Sequence, residues 1–253
     1  MDKLYFYGGL DLSNYYFVFF INYDEQKDST KQDSIYTREE DKSIMCKILR
    51  ELHQKSAEYI LQNYSDREQF PVDIVDVASR IGIRLGSVDF TELEKSNSFK
   101  DMVKEKGHIL GSVRAKGDDL YINYHNALHD DPNFKHLSEI DKRDVLLRRQ
   151  RFTIAHEIAH CCLHIDPDKY EPHIEYRTEQ KDYGVNSKER EANIFAGELL
   201  IPFNILSDLS MIYNNKISVS LFADFFKVSK HVMKARLAQL IEEGKLQNVE
   251  CFN

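Results

Sequence analysis

Two neighbouring stretches of the chain carry apolar residues at the spacing of a buried helix. The second stretch begins after Ser187, which can cap a helix, and ends at Pro202, which cannot continue one. Its small residues Ala192 and Ala196 would let it approach the first helix closely. The first stretch ends before Asp166-Pro167 and has its apolar stripe at Phe152, Ala155, Ile158, Ala159, Cys162 and Leu163.

Periodic segments also precede this pair. Apolar positions from Ile44 to Ile60 predict one long helix, and Pro71 opens a second helix that runs to Arg80. Gly82 then turns the chain into a short strand. Residues 109–115 and 120–123 alternate as a β-hairpin does. We expect this hairpin either to lie beside the first buried helix, where its edge could pair with an extended substrate, or to be purely structural.

The stretch from residue 125 to residue 151 is polar, and it predicts an irregular approach to the first buried helix. Three arginines close to its end are expected to be solvated or paired at the surface. These arginines are Arg148, Arg149 and Arg151.

At the C-terminal side, residues 218–240 predict two short helices separated at residues 227–229, a pattern that resembles a helix-turn-helix. A bundle packed against the rest of the protein explains the same pattern. We favour the bundle because Glu242, Glu243 and the acidic chain weaken any positive field, so DNA contact is possible but not favoured. The residues that would form a modest basic face are Lys227, Lys230, His231, Lys234 and Arg236.

The first buried helix carries the strongest chemical signal in the chain. His156, Glu157 and His160 form a His-Glu-x-x-His motif, and residues four apart project from one face of a helix. Both imidazoles can therefore bind one zinc ion, while Glu157 can take a proton from a bound water. The competing interpretation is a core helix whose histidines are satisfied by hydrogen bonds.

A catalytic zinc ion usually takes three protein ligands, so a third residue is needed. Leu163 and Asp166 stand where the metzincin motif requires glycine and histidine, which excludes that class. Glu189 on the second helix is the preferred third ligand, and Asn193 one turn later could hydrogen bond to the far nitrogen of a ligand histidine. Glu191 points about 200° away around the helix and is the weaker choice.

Three further sets of residues leave alternatives open. Glu179 is a possible substitute for Glu189 as the third ligand. His164 extends the histidine series by one turn, but it is too far along a straight helix to share the ion, and we interpret it as a helix-end or supporting residue. Four residues between the two helices could reach the oxyanion of a tetrahedral intermediate, although surface exposure is the better expectation for His173, Tyr176, Arg177 and Tyr183.

The two motifs, residues 151–160 and 189–202, resemble those of the ImmA/IrrE family of zinc metallopeptidases in order and separation. Residues 70–83 and 119–123 extend the resemblance more weakly. It implies zinc ligands at His156, His160 and Glu189, with Glu157 as the base. It also implies a bacterial or mobile-element protein of the cytoplasm that cleaves a helix-turn-helix repressor or an antitoxin-like partner.

These patterns predict an α+β fold. We expect a helix-rich, zincin-like metallopeptidase domain with a small antiparallel sheet at residues 41–205 and a small helical, helix-turn-helix-like part at 206–253. Residues 1–40 would form an N-terminal extension, with two aromatic-rich strands before residue 24.

Composition agrees with a globular cytoplasmic protein. The 253 residues are 42% hydrophobic, enough for a substantial core, and no segment predicts a membrane span or a signal peptide. The net charge of −8 argues against binding nucleic acid over the whole surface. The spacing of the four cysteines matches neither a metal motif nor a disulfide framework, so we expect reduced thiols.

The sequence therefore predicts a zinc-dependent endopeptidase of the gluzincin type. Two other functions are compatible with it: a zinc-binding transcriptional or stress regulator that does not cut, and a zinc hydrolase of small molecules. The ligand set of two histidines and one carboxylate would also accept manganese or iron.

Overall fold

A computed structural model of the protein describes residues 47–66, 69–116, 119–128, 134–167, 174–178 and 187–252. The predicted extension at residues 1–40, with its two strands, lies outside them. The helices are α1 (described from 47 to 52), α2 (Ala57–Tyr64), α3 (Ile74–Ile81), α4 (Thr91–Lys95), α5 (Asn97–Lys106), α6 (Glu139–Leu163), α7 (Ser187–Leu200), α8 (Phe203–Ile212), α9 (Val219–Phe226) and α10 (Lys230–Glu242). The strands are β1 (Arg84–Val88), β2 (Ile109–Lys116), β3 (Asp119–His125), β4 (Ile174–Thr178), β5 (Lys216–Ser218) and β6 (Glu250–Phe252).

The fold is α+β and rich in helix, as the sequence predicts. The predicted hairpin is confirmed, because β2 and β3 pair antiparallel from Gly111–Tyr124 to Lys116–Asp119. The four-stranded sheet has the order β1-β3-β2-β4 and is mixed rather than antiparallel throughout, since β1 joins β3 in parallel. A parallel neighbour needs a crossover, and the chain between β1 and β3 supplies it through α4, α5 and β2.

Two predicted helices have different bounds. The long helix expected from Ile44 to Ile60 is broken: Gln54 adopts a left-handed φ of 57°, and the Ser56 hydroxyl accepts a hydrogen bond from the Tyr59 amide to start α2. The helix expected at Pro71 begins at Ile74 instead, because Asp73 caps it. Gly82, with a φ of 95°, ends it as predicted.

The expectation of irregular structure up to residue 151 is wrong for its second half. α6 begins at Glu139, capped by Ser138, and continues without a break to Leu163. Its first three turns are exposed or half-buried, so they lack the apolar stripe by which a buried helix is recognised. The helix is therefore twice as long as its apolar pattern indicates.

α6 lies at the centre of the part of the chain that the structure describes. It packs against α3 and α7 on its helical side and against β2 and β3 of the sheet. Buried residues of α2, α3, α6 and α7 belong to one hydrophobic cluster, which continues into α8, α9 and α10 through Leu206, Phe222 and Leu240. The second half of α6 is thus enclosed between these helices and the sheet.

The C-terminal helix pair forms as predicted, with Ser229 capping α10 and Lys227 in the left-handed conformation between the helices. Arg236 does not lie on the exposed face of α10: it is 5% exposed, and its guanidinium contacts Glu198 at 3.1 Å. Among the described residues, no single helix is long and apolar enough to cross a membrane. α7 and α8 are long and apolar enough only when taken together, and the two are bent by 56° relative to each other.

Candidate metal centre

The second half of α6 and the first half of α7 meet face to face. Every residue of α6 from Thr153 to Ala159 is buried, which is unusual for a histidine and a glutamate. On α7, Ala192 and Ala196 are completely buried. Their small side chains let the two backbones approach, as the sequence predicts, and the polar groups between the helices face one another.

Three predicted ligand residues converge in this contact. His156 Nε2 lies 3.1 Å from Glu189 Oε2, and His160 Nε2 lies 3.1 Å from Glu189 Oε1. The two Nε2 atoms are 2.9 Å apart. One potential ligand atom from each residue lies within 4.8 Å of the others, close enough for all three to hold one metal ion.

The charge states in this group suit a divalent cation. Burial, and then the positive charge of Arg177, lower the pKa of His156 to about 3, so its imidazole is neutral at ordinary pH. Contacts with the imidazoles of His156 and then His160 hold the pKa of Glu189 well below its usual range. The protein therefore presents a neutral imidazole and an ionised carboxylate, the forms that bind metal.

Asn193 lies where the spacing on α7 predicts. His156 donates a hydrogen bond from Nδ1–H to Asn193 Oδ1 over 3.0 Å. A neutral imidazole has a single N–H, so this bond favours the tautomer whose Nε2 lone pair points toward Glu189. Asn193 thus prepares His156 to bind a cation through Nε2.

Glu157 is 3% exposed and faces the sheet at the glycine of β2. A Cβ atom added at Gly111 would lie 2.5 Å from Thr153 Cγ2 and 3.4 Å from Glu157 Oε1. The first of these distances is too short for a side chain, so only glycine permits this approach of strand and helix. The backbone of β2 consequently packs against the carboxylate that the sequence predicts to be the base.

Arg177 is one of the four residues that the sequence names as able to reach the oxyanion but expects to be exposed. Instead of lying at the surface, it extends from β4 over the ring of Phe152, 5.1 Å from the ring centroid, and donates a hydrogen bond to Thr153 Oγ1 over 3.0 Å. Burial lowers its pKa, and its charge interacts with the carboxylates of Glu157 and Glu189. The pairing of β4 with β2 brings it here, and no local pattern indicates that pairing.

The remaining candidates fall into two groups. Glu191 is exposed and does not join the ligand group; its Oε2 lies 3.1 Å from His164 Nε2. His164 contacts His160 on the side away from Glu189, with 3.0 Å between the two Nδ1 atoms. Residues outside those whose side chains the structure describes are Glu179, His173, Tyr176 and Tyr183.

The donor set fits zinc. Two imidazole nitrogens and one carboxylate are a common set of three protein ligands for a catalytic zinc ion, with the fourth position left to water or substrate. The contacts of 2.9 to 3.1 Å also bring together atoms that are all electron-pair donors once each imidazole keeps its proton on Nδ1. In that tautomer a cation would take the place of the N–H groups that otherwise turn toward Glu189, so these residues can hold one.

Comparison with known protein families identifies the class. Residues 142–238 match the family model of the IrrE N-terminal-like domain of the M78 peptidases. The matched range includes α7 and all but the first turn of α6. The match supports the resemblance of this region to the ImmA/IrrE family, and a peptidase is the activity class that it supports. A search of curated proteins found no match.

Proposed function

We propose that the protein is a zinc-dependent endopeptidase in which His156, His160 and Glu189 hold the metal ion and Glu157 is the general base. The observation that carries this proposal is that one potential ligand atom from each of these three residues lies within 4.8 Å of the others. The buried Glu157 follows His156 directly on α6. The family match supports the peptidase class independently of the geometry.

When bound, a zinc ion supplies a Lewis acid that lowers the pKa of water toward neutrality and polarises the scissile carbonyl. Glu157 accepts the proton of the attacking water and later delivers it to the leaving amine. Asn193 holds the imidazole of His156 in the ligating tautomer. Arg177 supplies positive charge beside Glu157 and favours the ionised carboxylate that a base requires.

The substrate would bind as an extended strand. Among the described strands, β4 lies at one edge of the sheet and carries Arg177 beside the site. Backbone hydrogen bonds to a sheet edge can hold a peptide without a deep pocket. This arrangement favours a protein substrate over a small molecule.

We infer that the substrate is a helix-turn-helix repressor or an antitoxin-like protein of the cytoplasm, and that cleavage releases transcription. The support is the likeness of the two motif segments to the ImmA/IrrE family. A regulator that binds zinc without cutting is the alternative, and the exposed Lys230, His231 and Lys234 of α10 favour it. Burial of Arg236 removes one cation from the face that would have to touch DNA.

Co-expression tests both functions. The protein and its Glu157→Gln variant would each be produced with the repressor or antitoxin-like protein encoded beside it, and the partner's intact mass would be measured. Fragments with the wild type alone would support the peptidase and give the cleavage site. An intact partner in both cultures, together with binding of defined DNA by both forms, would favour the regulator.

The metal itself is tested by preparing the protein without metal and adding zinc, manganese or ferrous iron in turn. We expect zinc to restore peptide cleavage at one equivalent per chain. Restoration by manganese or iron alone would replace zinc in the proposal and leave the ligand residues unchanged.

A further inference from the structure

We propose that His164 and Glu191 form a positioning pair that fixes the tautomer of His160 and so prepares its Nε2 to bind the metal ion. The proposal rests on the metal site proposed above and assigns a role to two residues that lie outside the group of potential ligands.

The three residues form a continuous chain of contacts that leads from the metal site to the surface. His160 Nδ1 lies 3.0 Å from His164 Nδ1, and His164 Nε2 lies 3.1 Å from Glu191 Oε2. The His164 side chain is only 8% exposed, whereas that of Glu191 is 56% exposed. The chain therefore starts at a solvated carboxylate and ends at a ligand nitrogen.

The direction of each hydrogen bond follows from the carboxylate. An ionised carboxylate can only accept, so His164 donates to Glu191 from Nε2–H. Neutral His164 then has a lone pair on Nδ1 and must accept from His160 Nδ1–H. With its proton on Nδ1, His160 presents the Nε2 lone pair toward Glu189 and His156. One carboxylate at the surface thus determines the tautomer of a ligand two hydrogen bonds away.

The two candidate ligand histidines are then oriented in the same way by different means. His156 donates directly to the amide oxygen of Asn193, and His160 donates to another imidazole that a carboxylate holds in place. Partners of this kind fix the orientation of ligand histidines and raise their basicity. The spacing that makes His164 a poor metal ligand places it well for this role, one turn beyond His160.

The test measures zinc affinity by competition with a chromogenic chelator. Removal of such a partner typically weakens metal binding by about 10- to 100-fold, so we expect His164→Leu to weaken zinc binding about 10-fold. His164→Asn should recover most of this loss, because the asparagine Oδ1 can accept from His160 near the position of the lost Nδ1. Arg190→Ala, an exposed neighbour on α7, serves as the control and should leave the affinity unchanged.

Glu191 is tested in both backgrounds. Glu191→Ala should weaken zinc binding less than His164→Leu does, because its contact is solvated, and it should have no effect when His164 is already leucine. An equal loss in both backgrounds would mean that Glu191 acts through its charge alone and would overturn its role in the chain.

A spectroscopic measurement reads the tautomer directly. Long-range ¹H–¹⁵N correlation spectra of the metal-free protein should show His160 protonated on Nδ1 in the wild type and in His164→Asn, with a shift toward Nε2 protonation in His164→Leu. The same tautomer in all three proteins would overturn the proposal.

Failure of this proposal is distinguishable from failure of the metal site. If the wild type binds one zinc ion, Glu189→Ala loses it, and His164→Leu binds it as tightly as the wild type, the positioning pair is wrong and the metal site stands. If the wild type binds no zinc, the proposed function itself is wrong.

Discussion

The two halves of α6 use buried polar side chains in opposite ways. In the first half, Arg148 has a partner in the protein for nearly every donor: Asp144, Asp224 and the backbone carbonyls of Ala223 and Val228. In the second half, His156 and His160 turn their Nε2 atoms toward each other and toward Glu189. The same helix thus carries an arginine whose partners are all in the protein and two histidines that could bind a cation.

The difference separates structural polar residues from functional ones. The guanidinium of Arg148 holds the turn between α9 and α10 against α6, and Arg151 adds a hydrogen bond to Lys227 O over 3.2 Å. Each nitrogen of the Arg148 guanidinium thus has a partner within the protein. The histidines and Glu189 instead bring together three groups that could all bind one cation, and such groups bind metal in their neutral imidazole and ionised carboxylate forms.

The largest expected effect breaks the chemistry and leaves the structure intact. Glu157→Gln should lower the rate of peptide cleavage by about 10²- to 10⁴-fold, the usual contribution of a general base, because the amide cannot accept the proton of water. Zinc content, measured by atomic emission, and the melting temperature should stay close to those of the wild type. Cleavage at the wild-type rate would show that Glu157 is not the base.

The next effect distinguishes the two glutamates of α7. Glu189→Ala should weaken zinc binding by more than about 100-fold, beyond what the loss of a supporting partner costs, because it removes a ligand atom. Glu191→Ala should still purify with one zinc ion per chain. The reverse outcome in a metal-content measurement would move the third ligand to Glu191.

At the other half of α6 the expected effect is on stability alone. Arg148→Ala removes the donor to the Val228 carbonyl and one of the donors to the Ala223 carbonyl, which should lower the free energy of unfolding by about 1–3 kcal/mol. Arg143→Ala on the exposed side of the same helix should change it by less than about 0.5 kcal/mol. Both free energies would be measured by urea unfolding, and the zinc affinity of each variant should equal that of the wild type. A weaker zinc affinity in Arg148→Ala would contradict the division of α6 into a structural half and a metal-binding half.

An effect on stability as large as that of Arg148→Ala is expected at the strand that faces Glu157. Gly111→Ala should cost about 1–3 kcal/mol of stability, because the new methyl group overlaps the Thr153 methyl group. Adding Thr153→Ser should restore part of the loss, since serine lacks that methyl group but keeps the hydroxyl that accepts from Arg177. An equal loss with and without Thr153→Ser would place the strain elsewhere.

Local spacing predicts most of what lies on α6 and α7. Residues four apart share a helix face, so His156 with His160 and Glu189 with Asn193 could be paired before the structure was known. The C-terminal helix pair and the hairpin of β2 and β3 are short-range features of the same kind. Their signals lie within single segments of the sequence.

What sequence patterns miss depends on contacts between distant segments. Arg177 reaches the site because β4 pairs with β2, and Arg236 is buried because Glu198 on α7 lies opposite to receive it. The first half of α6 has no apolar stripe because its contacts are polar, and the partners, such as Asp224, lie on another helix. Charged residues therefore look solvated in the sequence when their partners are far away along the chain.

The end of α6 has an electrostatic consequence of its own. Its peptide dipoles are equivalent to about half a negative charge near Leu163, and His160 lies in the last turn. Such a helix end favours a nearby cation by about 0.3–1 kcal/mol, and this opposes the repulsion that the positive charge of Arg177 exerts. The place of the site near the end of α6, and not only the residues it carries, thus helps the site to keep a cation beside an arginine.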